Sequence, residues 1–96
     1  MSDLRTTEIR HHPLQGRIEA WLDGRHAGEL KYRIQAGVMV ILHTGVAPAL
    51  QGQGIAAALV RFALAHARAH ALKVRPLCGY VAAYVQRHPE ERELLG

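Results

Sequence analysis

Cysteine is nearly absent. Cys78 is the single one among 96 residues, so no disulfide can form within the chain, and the disulfide scaffold of small secreted domains is excluded. No apolar run comes near the ~20 residues of a membrane span, and no apolar stretch follows a basic start at the N-terminus. No membrane partner is expected, and a cytoplasmic protein is. Aromatic residues are scarce at 5%, and basic residues such as Arg5, Arg33, Arg61 and Arg87 are scattered along the chain. Neither a base-stacking platform nor a basic stripe is present. The net charge of +4 still favours an anionic partner, and scattered cations suit a polyphosphate ligand better than a duplex. A small basic nucleic-acid-binding protein remains as a rival on charge alone. Charged residues reach only 21% against 49% hydrophobic ones, which excludes a disordered chain. The length suits one domain over residues 1–96, with 1–15 partly flexible.

What is present is alternation. Thr7 to Arg10 offers a short edge strand at most, and Arg17 to Leu22 alternates with Ile18, Ala20 and Leu22 on one face. Asp23-Gly24 predicts a type I′ hairpin turn into a second alternating run with Leu30, Tyr32 and Ile34 on one face. Gly37 breaks that run. Val38 to Leu42 is continuously apolar and β-branched, which predicts a central strand. Ile55 to Leu72 is rich in Ala and Leu and free of Pro and Gly, which predicts a long helix. At 100° per residue its apolar side collects Ile55, Leu59, Val60, Phe62, Ala63 and Ala67. Lys73 to Leu77 then returns as a strand parallel to the central one. Gly79 to His88 predicts a short helix with Val81, Ala82 and Val85 inward, and Pro89 opens an acidic turn. The expected fold class is α/β: a mixed sheet, mostly antiparallel with one splayed parallel pair, a long helix and a short C-terminal helix.

The informative segment is Gln51-Gly52-Gln53-Gly54-Ile55-Ala56, between the central strand and the long helix. Glycines there let a backbone approach a bulky ligand, and the helix start supplies unpaired N–H groups and positive dipole, which suits phosphate. A tight connection between strand and helix explains the same glycines. The spelling Gln51-x-x-Gly54-x-Ala56 resembles the Q/R-x-x-G-x-G/A signature of GNAT acetyltransferases. The wider strings His43 to Pro48, Gln51 to Ile55 and Val74 to Cys78, with Tyr84, His88 and Pro89, resemble the short single-domain GNAT-like family. That resemblance implies acetyl-CoA between two splayed strands, its pyrophosphate on the amides of Gln53 to Ala56 and its pantetheine along Thr44 to Val46. Gln51, Gly52, Gly54 and Ile55 complete the expected cofactor loop. Gly45 stands where the family usually carries Glu, so a carboxylate next to the expected thioester is missing.

Acetyl transfer to an amine needs a base for the acceptor, a donor for the oxyanion and an acid for the departing thiolate. Cys78 lies between a strand end and a helix start, where amide dipoles favour thiolate, and the family resemblance also makes it reactive. Its plain alternative is a small buried hydrophobe. The resemblance points to Tyr84 as the acid, against a packed aromatic with its hydroxyl at the rim. His43, ending the central strand, is the candidate base, against an imidazole merely held by hydrogen bonds. Arg87 and His88 are candidate partners of coenzyme phosphates, or a solvated helix end. His66 and His70 lie one turn apart with no third ligand evident, so no metal site is expected, and His11-His12 is expected to be solvated. The expected function is acetyl transfer from acetyl-CoA to an amine, with a CoA-binding module lacking turnover as the first rival. The acceptor is not specified, and the oligomeric state is open between monomer and homodimer.

Overall fold

The computed structural model describes residues 7–96. Expectations for residues 1–6 lie outside the described residues. The strands β1 (Thr7–His12), β2 (Arg17–Leu22), β3 (Arg25–Gln35), β4 (Val38–Val46) and β5 (Lys73–Pro76) form one sheet in sequence order. All neighbours are antiparallel except β4 and β5, which are parallel. Helix α1 (Ile55–Ala69) joins that parallel pair, and α2 (Gly79–Arg87) follows β5. The mixed sheet with one parallel pair is the expected α/β architecture.

One face of the sheet is covered. Ile18, Ala20, Leu22, Leu30, Tyr32, Met39, Ile41 and Val74 join the buried side of α1 in one cluster, to which α2 adds Val81, Tyr84 and Val85. The intervening residues Glu19, Trp21, Glu29 and Lys31 lie on the other face, because strand side chains alternate. Asp23 and Gly24 both take positive φ, 50° and 79°, as a type I′ turn requires.

Several expectations are corrected. The first strand runs two residues past Arg10, to His12, and is paired with β2 along its whole length. Ile34 pairs with Met39 and shares its face, yet stays 50% exposed and outside the core, unlike Leu30 and Tyr32. Strand β4 continues to Val46, since His43 and Thr44 extend its pairing with β3 despite their polarity. Helix α1 stops at Ala69. Ala71 takes φ 56°, and the Leu72 amide returns to the Ala67 carbonyl at 2.9 Å, a left-handed helix end made without glycine. On α1 the buried position next to Ala63 is Leu64, with Phe62 half-buried at the edge, and on α2 Tyr84 takes the inward place expected of Ala82.

Candidate functional site

The parallel pair is short. Its last register partners are Ile41 and Pro76, after which the Leu77 and Cys78 amides both reach the Ile41 carbonyl, at 3.0 and 3.3 Å. Pro76 has no N–H to continue the ladder. From Leu42 to Val46, β4 therefore pairs with β3 alone, and its other edge is left to a cavity. That cavity, about 460 Å³, is lined by Thr44, Gly45 and Val46 of β4, by Leu50 to Gly52, by Gly54 to Ala57 at the start of α1, and by Tyr80.

The floor of the cavity is a helix N-terminus prepared for an anion. Gly52 and Gly54 have φ of 84° and 80°, a left-handed conformation that side chains resist, and a Cβ on either would meet no neighbouring atom within 4 Å. Gly54 is itself the N-cap of α1, with no side chain closing the end and no acidic residue in the first turn. The first amides of α1 are thus free of competing carboxylates. Gln51 holds the loop to the strand through a 3.4 Å hydrogen bond from Nε2 to the Val46 carbonyl.

Cys78 is the N-cap of α2 and is half-buried. Burial by itself would raise its thiol pKa. The Val81 N–H, the Thr44 hydroxyl, and the Tyr80 and Thr44 N–H groups outweigh burial and bring the thiol below the ordinary cysteine value. These are electrostatic approaches, and no side chain closes a capping bond on α2. Thr44 Oγ1 is buried and makes no hydrogen bond among the described residues, so its proton is available to a thiolate.

The other sequence-predicted residues divide. Thr44, Val46, Gln51, Gly52, Gly54, Ile55 and Ala56 line the cavity, with Gln53 in the same loop. Tyr84 is 8% exposed, faces the core and stacks on His88 with ring centroids 4.0 Å apart. It does not line the cavity; Tyr80, one helical turn earlier and 42% exposed, does. Arg87 and His88 end α2, at the opposite end from Tyr80, and are not brought to the cavity. His43 pairs with Lys31 on the open face of the sheet, where a shallow cavity of about 320 Å³ contains it together with His26, Glu29, Gly45 and Val46. The two cavities share Gly45 and Val46. A Cβ on Gly45 would stand 2.9 Å from His43 Nε2, so the imidazole leans over the position where the sequence lacks a side chain.

Tyr80 is what sequence reasoning missed. The signal was available: Val81, Tyr84 and Val85 at i, i+3 and i+4 define the inward stripe and leave Tyr80 outside it.

Residues 17–94 match the model of the GCN5-related N-acetyl-transferase family. The chain belongs to that family. Its fold is similar to that of a GCN5-like protein from Staphylococcus aureus, with TM-score 0.74 and 23% identity over 93% of this chain and 87% of that one. It is also similar to a GNAT family acetyltransferase from Brucella melitensis in complex with acetyl-CoA, with TM-score 0.60 and 26% identity over 71% of this chain and 50% of that one. N-acetylglutamate synthase from Neisseria gonorrhoeae, complexed with coenzyme A and N-acetyl-glutamate, shares the fold at TM-score 0.65 and 15% identity over 88% of this chain and 26% of that one. The chain spans half or less of these last two proteins. Among the described residues, no helix is long and apolar enough to cross a membrane.

Proposed function

We propose that this GNAT-family chain transfers an acetyl group from acetyl-CoA to an amine. The observation that carries the reading is the cavity between the released edge of β4 and the N-terminus of α1, where two left-handed glycines open space for a ligand and no acidic residue repels an anion. The residues present fit the donor. Amides from Gln53 to Ala56 would hold the pyrophosphate, and the open edge of Thr44 to Val46 would hold the pantetheine arm. Acetyl-CoA supplies an activated acyl thioester; the bound coenzymes of the Brucella and Neisseria proteins support this choice of ligand.

The chain's own residues then divide the chemistry. Cys78, with its thiol lowered by surrounding N–H groups and the Thr44 hydroxyl, attacks the acyl carbon and holds the acetyl group as a thioester. Tyr80, at the cavity wall, gives its proton to the departing thiolate. Its position favours it over Tyr84, whose packing instead fixes α2 and so the place of Cys78. The amine displaces Cys78 as thiolate while His43 takes the amine's proton, and that proton returns through solvent to the Tyr80 phenolate, which closes the cycle. The amine reaches the acyl group from the open face beside Gly45, a residue without a side chain that borders both cavities.

A second reading, a CoA-binding module without turnover, is favoured by the glycine at position 45 alone. One experiment separates the two. Acetyl-CoA should raise the melting temperature in both readings, but only the enzyme acetylates any member of a broad amine panel. An unchanged melting temperature at millimolar acetyl-CoA overturns both.

A further inference from the structure

The face of the sheet away from the helices carries a group of metal-ligand side chains that the acetyl-transfer reading does not use. Glu19 of β2 and Glu29 of β3 are direct register partners, so two carboxylates stand side by side on adjacent strands. Like charges in that relation repel unless a cation lies between them. His26 completes the group. Glu19, His26 and Glu29 each offer a ligand atom, and these atoms lie within 4.8 Å of one another, the one such grouping found among the described residues.

A distortion of the strand brings His26 there. His26 and Glu29 are three residues apart and would face opposite sides of a regular strand. The register shift at Ala20/Trp21 leaves Ala27 as the extra residue between the pairs Trp21↔His26 and Ala20↔Gly28, and Ala27 is fully buried. His26 is thereby returned to the face that holds Glu19 and Glu29.

We propose that Glu19, His26 and Glu29 bind a first-row divalent cation of the zinc class. Two carboxylates and imidazole nitrogen are a donor set for zinc, cobalt or nickel. Metal bonds of about 2.0–2.2 Å place tetrahedral donors about 3.4 Å apart. His26 Nε2 already lies 3.6 Å from Glu19 Oε2, while His12 Nε2 shares a 2.9 Å hydrogen bond with the other oxygen, Oε1, from outside the group. The Glu19 side chain is 14% exposed and accepts a 3.2 Å hydrogen bond from Trp21 Nε1, an outer contact of the kind that orients a metal-bound carboxylate. Arg17 approaches Glu19 Oε2 at 3.4 Å and Lys31 approaches Glu29 Oε2 at 3.6 Å. These flanking cations offset part of the carboxylate charge, and the ion competes with them. The stacked pair His66 and His70 lacks an equivalent: His70 Nδ1 is held to the His66 carbonyl at 2.9 Å, and no carboxylate joins them in a group of three among the described residues.

Trp21, the only tryptophan, reports on the site, with its ring 5.4 Å from that of His26. Chelator-treated protein titrated with Ni2+ should show saturable quenching of Trp21 at one equivalent, and Zn2+ should compete with it. His26→Ala and Glu29→Gln should each weaken binding by at least about tenfold, while a His66→Ala, His70→Ala double variant keeps it. Circular dichroism checks that each variant is folded, and Co2+ absorption in the visible range gives a second readout of the same site. Absence of saturable quenching overturns the proposal. So does unchanged affinity in both His26→Ala and Glu29→Gln, or loss of binding in the His66, His70 variant alone.

Discussion

Thr44 and Cys78 come from segments far apart in sequence and meet where β4 leaves β5. The hydroxyl matters through its proton, since Thr44 Oγ1 is buried and makes no other hydrogen bond among the described residues. Thr44→Val keeps the shape and removes that donor. The Cys78 pKa should therefore rise, and the midpoint of the pH profile for thiol alkylation should move up with it. A profile that stays in place would show that the amides of Val81 and Tyr80 set the thiol without help. If Cys78 carries the acetyl group, acetyl-CoA without an acceptor should leave a hydroxylamine-labile adduct that Cys78→Ala lacks. Turnover retained in Cys78→Ala would sink the covalent route and leave direct attack by the amine. Gly54 is a different kind of position. A residue with a Cβ at φ 80° costs about 1–2 kcal/mol, and a valine there also fills the space a pyrophosphate needs. Gly54→Val should remain folded and lose the thermal response to acetyl-CoA; a normal response would mean that the turn is only structural.

Strand β1 shows how an element can be anchored by a residue that sequence reading leaves in solvent. His11 shares a 2.6 Å hydrogen bond with the Tyr32 hydroxyl and packs edge-on to Phe62 and His66 of α1, at 5.4 and 4.7 Å. Burial, then the neighbouring charges of His66, His12 and His70, lower its pKa from the ordinary value of 6.5. His66 is lowered likewise, by burial and then by His70. Because the folded state disfavours these protons, the unfolded chain binds more of them in acid. The stability they contribute is full above pH 6.5 and is lost as pH falls through the lowered folded values. His11→Phe should therefore flatten the dependence of melting temperature on pH below 6.5; an equal slope in both proteins would show that other groups dominate. The strands and helices themselves were legible, because period 2 and period 3.6 are written in single residues. Features that depend on a partner were not. Ala36 and Ala71 take positive φ without any residue type that announces it, and the bulges at Ala20/Trp21 and Lys31/Tyr32 arise only when two strands are set in register. The glycine loop was legible for the opposite reason, since its conformation needs the residue type itself. The roles of Tyr80 and Tyr84 turned on helix phase, which a choice of Ala82 over Tyr84 as the inward residue put out of step.

The described residues form a five-stranded sheet with its helices packed into a single core on one face, so little surplus burial stands behind it. The cavity proposed for the ligand is lined by three elements: β4 past Ile41, the start of α1 and the start of α2. A ligand gripping all three should stabilise the molecule more visibly than one seated on a rigid surface of a large protein. At a concentration about 100 times its dissociation constant, acetyl-CoA adds about 2.7 kcal/mol to a native state that alone binds it. For a chain of this length that corresponds to a rise of about 10–20 °C in melting temperature. The rise should grow with the logarithm of ligand concentration and persist in Cys78→Ala, because binding requires the loop and not the thiol. It should fall sharply in Gly54→Val. A response that depends on Cys78 but not on Gly54 would place the ligand at the thiol and overturn the assignment of the Gln51 to Ala57 loop as its anchor.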